Sequence, residues 1–139
     1  MTRKLTPDYF NDISRGHLPE HLGIVVLEVG EGLLRAEVTV QGFLLAPNGY
    51  LHAGSVVSLA DTCAGYGCIA HLPQGATGFT TIELKSNHLA TARDGVIEGV
   101  GRAVHLGRTT QVWDVAVSAR ETSKQLALFR CTQLILYPK

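Results

Sequence analysis

The chain has 139 residues, 45% of them hydrophobic, and its 12 basic residues balance its 12 acidic residues. This length suits one domain, spanning residues 1–139, with a substantial core. The balanced charge and the lack of a basic cluster with interleaved aromatic residues argue against nucleic acid or a membrane surface as a partner.

The N-terminal segment, residues 1–17, lacks the apolar stretch of a secretory signal. No later segment reaches the roughly 20 apolar residues of a membrane span, so we expect a cytoplasmic protein without a membrane partner. Within this segment Thr6 or Asp8 is a candidate cap for a short helix that ends near Gly16.

Two β runs follow, separated by a glycine-rich break at residues 30–32. In the second run, apolar residues alternate with Arg35, Glu37 and Thr39. This alternation predicts a hairpin with one buried and one wet face.

The segment LHAGSVVSLADTCAGYGCIA, residues 51–70, predicts a long buried helix. A loop over residues 41–51, marked by the Asn48-Gly49 turn signal, leads into it. The helical segment contains no proline, and its glycines and small residues predict that other backbone packs closely against it. Its apolar residues recur at three- and four-residue steps; they are Val56, Leu59, Ala60, Cys63 and Ala64.

Four more β segments complete the chain, at residues 79–90, 96–108, 109–119 and 125–137. Four consecutive strands predict a meander, and the whole chain predicts an α+β fold with one long helix facing a sheet of about six strands. Such a sheet has open edges and a half-exposed second face. Proteins commonly solve this by pairing with another copy, so we expect at least a homodimer.

Asp61 lies in the middle of the apolar helix, and residues 51–70 contain no Lys or Arg. An unpaired ionised carboxylate in such a place costs several kcal/mol. Either its pKa is therefore raised, or the group faces a cleft with water and donors. A functional carboxylate and a structural pair with a distant Arg are both open interpretations.

The start of the helix is a second candidate feature. If the helix begins at Ala53, its first backbone N–H groups lack intrahelical partners and lie at the positive end of the helix dipole, which makes an oxyanion site. Asp61 lies eight residues further on, about 12 Å along the axis, so within one chain the two cannot reach the same substrate atom. In a dimer with antiparallel helices, Asp61 of one chain would oppose the His52–Ala53 end of the other.

Other catalytic and metal motifs are missing from the sequence. It has no GxSxG nucleophile elbow, no GxxxxGK[ST] phosphate loop and no HExxH metal pair. The glycine pair at residues 99 and 101 lies inside a predicted strand, a poor match to dinucleotide binding. Three cysteines without a CxxC pair give weak support to a disulfide or zinc reading, so we expect no metal site.

The segment YLHAGSVVSLADT resembles the His-Gly-Gly motif and the following helical acid of hotdog-fold acyl-CoA thioesterases. It resembles specifically the phenylacetic-acid-degradation and 4-hydroxybenzoyl-CoA thioesterase group, whose acid lies on the central helix. TIELKSNHLATARDG and VHLGRTTQVWDV are similar to later strands of the family, and the resemblance covers roughly residues 23–137 in element order. It implies an antiparallel sheet wrapped around the helix and a homodimer with two shared sites, often paired into a tetramer. It also implies hydrolysis of a coenzyme A thioester, with coenzyme A arriving as part of the substrate and no other cofactor.

The resemblance also implies roles for particular residues. Ala53 holds the second position of the motif and retains the N–H that contacts the thioester oxygen. Asp61 matches the acid that acts as nucleophile or general base, and Thr81 is the nearest match to a hydroxyl that places water. The family usually has Asn or Gln six residues before the histidine; this chain has Ala46 there, and Asn48 is the candidate substitute.

Further candidates surround these positions. His52 lies beside the oxyanion donor, which favours orienting the loop and the thioester end over acting as the base. Gly49 and Gly54 are substrate-binding candidates. Arg93 and Arg108 are candidates for the phosphates of coenzyme A, with a solvated surface role as the alternative. Three other functions stay open: a hotdog hydratase or dehydratase, a non-catalytic acyl-CoA binding module, and a purely structural dimer.

Overall fold

The computed structural model describes residues 5–139 and shows one six-stranded sheet with a long helix across one face. This arrangement confirms the predicted α+β fold. The helices are α1 (Pro7–Ile13), α2 (Leu18–Leu22) and α3 (Ala53–Ala70), and the strands are β1 (Val25–Gly30), β2 (Leu33–Thr39), β3 (Gly78–His88), β4 (Val96–Leu106), β5 (Thr110–Ala119) and β6 (Gln125–Leu136). None of the helices within residues 5–139 has the length and apolarity needed to cross a bilayer.

The strand order is β1-β2-β4-β5-β6-β3, and every neighbouring pair is antiparallel. The predicted meander of four consecutive strands is therefore wrong for β3, which pairs with β6 at the edge while β4 pairs with β2. The connection after β3 passes the start of α3, where the Leu51 N–H donates to the Ala92 carbonyl at 2.8 Å. Alternation along a strand sets which face is buried, but it does not name the strand's partner.

The predicted helix and hairpin patterns are confirmed in their buried faces. All five apolar residues predicted for one face of α3 are buried. In β2 the burial alternates, with Leu34, Ala36 and Val38 inside. Near the N-terminus, the Thr6 side chain caps α1 by accepting the Tyr9 N–H at 3.2 Å. The short helix α2 was not predicted.

Glycines of α3 receive aromatic side chains from the sheet. A Cβ added at Gly67 would lie 2.8 Å from the Trp113 ring, and one added at Gly65 would lie 3.0 Å from the Phe79 ring. At these two positions the atoms nearest to an added Cβ belong to aromatic rings.

Glycines of β4 also allow α3 to pack closely on the sheet. A Cβ at Gly99 would lie 2.9 Å from Cys63 Sγ, and one at Gly101 would lie 3.5 Å from Cys63 Cβ. These residues let α3 lie close against the sheet, and their place inside a strand agrees with the rejection of a dinucleotide motif.

The contact between Gly67 and Trp113 yields a stability prediction. Trp113 is fully buried, so it has no free space to yield to an added methyl group. Gly67→Ala should lower the free energy of unfolding by about 1–3 kcal/mol, the usual cost of overpacking. Urea denaturation measures this, with Gly42→Ala as the control because a Cβ there meets nothing within 4 Å. Equal stability of the two variants would contradict the packing described.

Candidate active site

The start of α3 presents one unpaired backbone amide. His52 caps the helix: its Nδ1 accepts the Gly54 N–H at 2.7 Å, and its carbonyl accepts the N–H groups of Ser55 and Val56. Because Nδ1 accepts, the neutral ring carries its proton on Nε2. Within residues 5–139 the Ala53 N–H has no hydrogen-bond partner. It is a free donor at the positive end of an 18-residue helix.

The third residue of the His-Ala-Gly sequence must be small for this cap to form. A Cβ at Gly54 would lie 2.9 Å from His52 Nδ1, so any side chain there pushes the imidazole away from the helix start. Ala53, by contrast, is exposed and contributes its amide whatever its side chain is. This explains how alanine fits at the second position.

The turn before α3 lies beside its first residues. Asn48 Oδ1 accepts the Tyr50 N–H at 3.1 Å, and Gly49 takes a φ of +85°, which favours glycine. The Gly49 N–H closes the turn on the Ala46 carbonyl at 2.9 Å. The guanidinium of Arg93 lies 4.3 Å from the centre of the Tyr50 ring. The structure thus brings Asn48, Gly49 and Arg93 to the same end of α3 as the free amide.

Arg108 lies at the other end of α3. It sits in the β4–β5 turn with its guanidinium 5.7 Å from the centre of the Tyr137 ring. At this end of β5, Gln111 Nε2 donates to the carbonyl of His71, the residue that follows α3. A helix of 18 residues spans about 27 Å. In one chain Arg93 and Arg108 therefore cannot contact the same phosphate group.

Asp61 has a buried carboxylate oxygen without a partner. Its Oδ1 accepts no hydrogen bond, and Asp61 forms no ion pair within residues 5–139. Burial raises the pKa of this carboxyl above the ordinary aspartate value. The direction agrees with the sequence-based expectation, and no arginine of the described chain pairs with it.

A hydrogen-bonded group of side chains lies on the sheet beside Asp61. Thr81 Oγ1 donates to Gln133 Oε1 at 2.7 Å, and Gln133 Nε2 contacts Cys131 Sγ at 3.4 Å. Burial, with a smaller contribution from the charge of Asp61, raises the pKa of the Cys131 thiol to about 12. Cys131 is therefore close enough to Asp61 to be affected by its charge, which places this hydrogen-bonded group near the acid.

Thr81 reaches the neighbourhood of Asp61 through the packing of β3 on α3. Gly65 contacts Phe79, and Asp61 is one helical turn before Gly65 while Thr81 is two strand residues after Phe79. Residues spaced by four in a helix and by two in a strand share a face. Asp61 and Thr81 therefore both lie next to the contact between Gly65 and Phe79.

Sequence reasoning missed Gln133, although a signal was present. Gln133 is 0% exposed and occupies an inward position of β6 between Cys131 and Ile135, both buried. A glutamine in an otherwise apolar inward row needs internal hydrogen bonds, and that requirement marks it. Clusters of three or more His, Cys, Asp or Glu that could hold a metal do not occur in the described part of the chain.

Comparison with known proteins places these features in one family. Residues 48–125 match the model of the thioesterase superfamily. A 1,4-dihydroxy-2-naphthoyl-CoA hydrolase of Listeria monocytogenes is 34% identical over 83% of this chain and 92% of its own. A proofreading thioesterase of Cronobacter sakazakii is 32% identical over 83% of each chain. The structure of a Pseudomonas aeruginosa thioesterase variant superposes with a TM-score of 0.91 and 28% identity, covering 96% of both chains.

The cap at the start of α3 can be tested by replacing His52. His52→Ala removes the acceptor of the Gly54 N–H and should lower the free energy of unfolding by about 1 kcal/mol. His52→Asn supplies another capping acceptor and should retain most of the stability. Urea denaturation of both variants checks this; if they lose equal stability, the side chain does not cap the helix.

Proposed function

Because the chain belongs to the thioesterase superfamily, we propose that it hydrolyses an acyl-coenzyme A at a site shared between two copies of the chain. The predicted hotdog fold and thioester hydrolase class are confirmed. One observation supports a shared site. Two unpaired groups, the Asp61 carboxylate and the Ala53 N–H, lie apart along α3. Each group lacks a partner, and eight residues separate them.

The substrate proposal is a coenzyme A thioester with an aromatic or fatty acyl group. Similarity to a relative named 1,4-dihydroxy-2-naphthoyl-CoA hydrolase supports the coenzyme A ester and makes the aromatic class the first to test. The names of the relatives favour hydrolysis over hydration of an enoyl group. No further cofactor is proposed.

The open edge of β3 supports pairing of two copies. One side of β3 bonds to β6, and within residues 5–139 no strand covers its other side. Two apolar residues of this strand, Ile82 and Leu84, are 57% and 43% exposed. A two-fold axis that joins two β3 edges makes a continuous antiparallel sheet and sets the two α3 helices side by side and antiparallel. Asp61 of one copy then faces the start of α3 of the other copy. We also expect two such dimers to pair into a tetramer.

The chemistry follows from these two groups. The thioester carbonyl oxygen accepts the Ala53 N–H, which stabilises the negative charge that develops as the carbonyl carbon is attacked. Asp61 either takes a proton from the attacking water or attacks the carbon itself. In the first route the carbon–sulfur bond breaks to give the free acid, and the leaving thiolate takes up the proton that Asp61 removed. In the second route the thiolate leaves and takes a proton from water, and a further water hydrolyses the mixed anhydride between Asp61 and the acyl group to the free acid. His52, with its proton on Nε2, lies beside the carbonyl as an orienting donor, together with Asn48 and Gly49 of the turn.

The oxyanion donor can be deleted without disturbing the helix. Ala53 is the first helical residue, where proline is well tolerated, and His52 already has the extended backbone that precedes a proline (φ −66°, ψ 136°). Ala53→Pro should therefore lower kcat by about 10²–10³-fold with little change in stability. Ala53→Gly keeps the amide and is the control. Full activity of the proline variant with an acyl-CoA, followed by thiol release, would refute the assignment.

Replacing the acid should separate activity from stability. Asp61→Asn should lower kcat by about 10²–10⁴-fold. The wild-type rate should fall on acidification at a pH above the ordinary aspartate range, because the acting form is ionised and burial raises its pKa. A raised carboxyl pKa in the folded state costs stability once pH rises past the unfolded value, so Asp61→Asn should be more stable than wild type at neutral pH and equal to it at low pH. An active variant, or one destabilised at neutral pH, would contradict this account.

A further inference from the structure

We propose that Gln133 is a positioning residue, which holds the Thr81 hydroxyl so that its lone pair, rather than its proton, is offered to a water beside Asp61. This inference rests on the proposed thioester hydrolysis and extends it to a residue that does not touch the substrate. It is carried by the hydrogen bonds of three side chains on the sheet under Asp61: Thr81, Gln133 and Cys131.

The Thr81 hydroxyl has a single proton to donate. Thr81 Oγ1 donates that proton to Gln133 Oε1 at 2.7 Å. A threonine hydroxyl has one donor and two acceptor lone pairs, so in this state Thr81 can only accept from any other group. Gln133 therefore determines that the Thr81 hydroxyl acts as a hydrogen-bond acceptor toward any other group.

In the structure the Gln133 amide presents its Oε1 to Thr81 and its Nε2 to Cys131. The side chain is 0% exposed, so water does not compete for it. Its Nε2 is directed at Cys131 Sγ at 3.4 Å, which leaves Oε1 for Thr81. The thiol of Cys131 stays protonated and neutral at ordinary pH, because burial raises its pKa to about 12. No charge of Cys131 disturbs the arrangement.

This orientation of the Thr81 hydroxyl determines how it can hold the attacking water. A water beside the two groups donates one O–H to the Asp61 carboxylate and the other to Thr81 Oγ1. A lone pair of the water oxygen is then free to form the bond to the thioester carbon, while the proton on the Asp61 side passes to the carboxylate. A Thr81 hydroxyl that instead donated to Asp61 would compete with the water and weaken the base. The arrangement thus favours Asp61 as general base over Asp61 as nucleophile.

A second buried glutamine provides a matched control. Gln111 on β5 is the register partner of Gln133, and it is equally buried. Its Oε1 accepts from Trp113 Nε1 and its Nε2 donates to the His71 carbonyl, both at 2.8 Å. Gln111 has no bond to Thr81, so its replacement reports the cost of losing a buried amide without altering the proposed water.

The test is a comparison of steady-state kinetics with an acyl-CoA that the wild type hydrolyses. Gln133→Met should lower kcat by about ten- to a hundredfold with KM unchanged, the scale of a misplaced reacting group. Gln111→Met should lower stability in urea yet retain kcat. Thr81→Val should match Gln133→Met, and the double variant Thr81→Val/Gln133→Met should be no slower than Thr81→Val alone, because the two residues act as one unit.

Three results would overturn the inference: wild-type kcat in Gln133→Met, an equal loss in Gln111→Met, or losses at positions 81 and 133 that multiply in the double variant. Unfolding curves accompany every variant, and Gln133→Leu replaces Gln133→Met if the methionine variant does not fold. Failure of the proposed function itself is visible separately. In that case the wild type releases no thiol from any acyl-CoA, or Asp61→Asn remains fully active.

Discussion

The burial of α3 against the sheet is the constraint on which the rest of the structure depends. The helix is made of small and apolar residues, and aromatic rings of the sheet fill the gaps at its glycines. Asp61 lies on this helix, where its buried Oδ1 has no hydrogen-bond partner and burial raises the pKa of its carboxyl group. The same rigid helix fixes the distance from that carboxylate to the free amide of Ala53. The burial of α3 therefore has two effects at Asp61: it lowers the stability of the folded protein, and it raises the pKa of a carboxyl group that can act as a base.

Much of this could be predicted from the sequence, because the informative signals are local. Apolar spacing of three and four residues marked the buried face of α3, and alternation marked the strands. Asp61 stood out as the single charge in its segment, and the His-Ala-Gly sequence marked the helix start. These signals also carried the family resemblance that the comparisons bear out.

The rest depended on contacts between distant segments. The position of β3 at the sheet edge follows from the path of the chain past the start of α3, which alternation does not encode. The aromatic partners of the helix glycines, Phe79 and Trp113, are equally invisible from local pattern. The inward position of Gln133 on β6 was recognisable from the sequence. Its hydrogen bond to Thr81 was not, because that bond depends on the pairing of β3 with β6. The wrong meander would have kept those strands apart.

The most direct test of the shared site mixes two inactive chains. Chains carrying Asp61→Asn and chains carrying Ala53→Pro are co-expressed in equal amounts and assayed for thiol release from an acyl-CoA. If each site takes its acid from one copy and its amide from the other, half of the dimers are mixed and each mixed dimer holds one intact site. The mixture should then recover about a quarter of the wild-type rate. A mixture no more active than the separate variants would show that one chain supplies both groups, which contradicts the account.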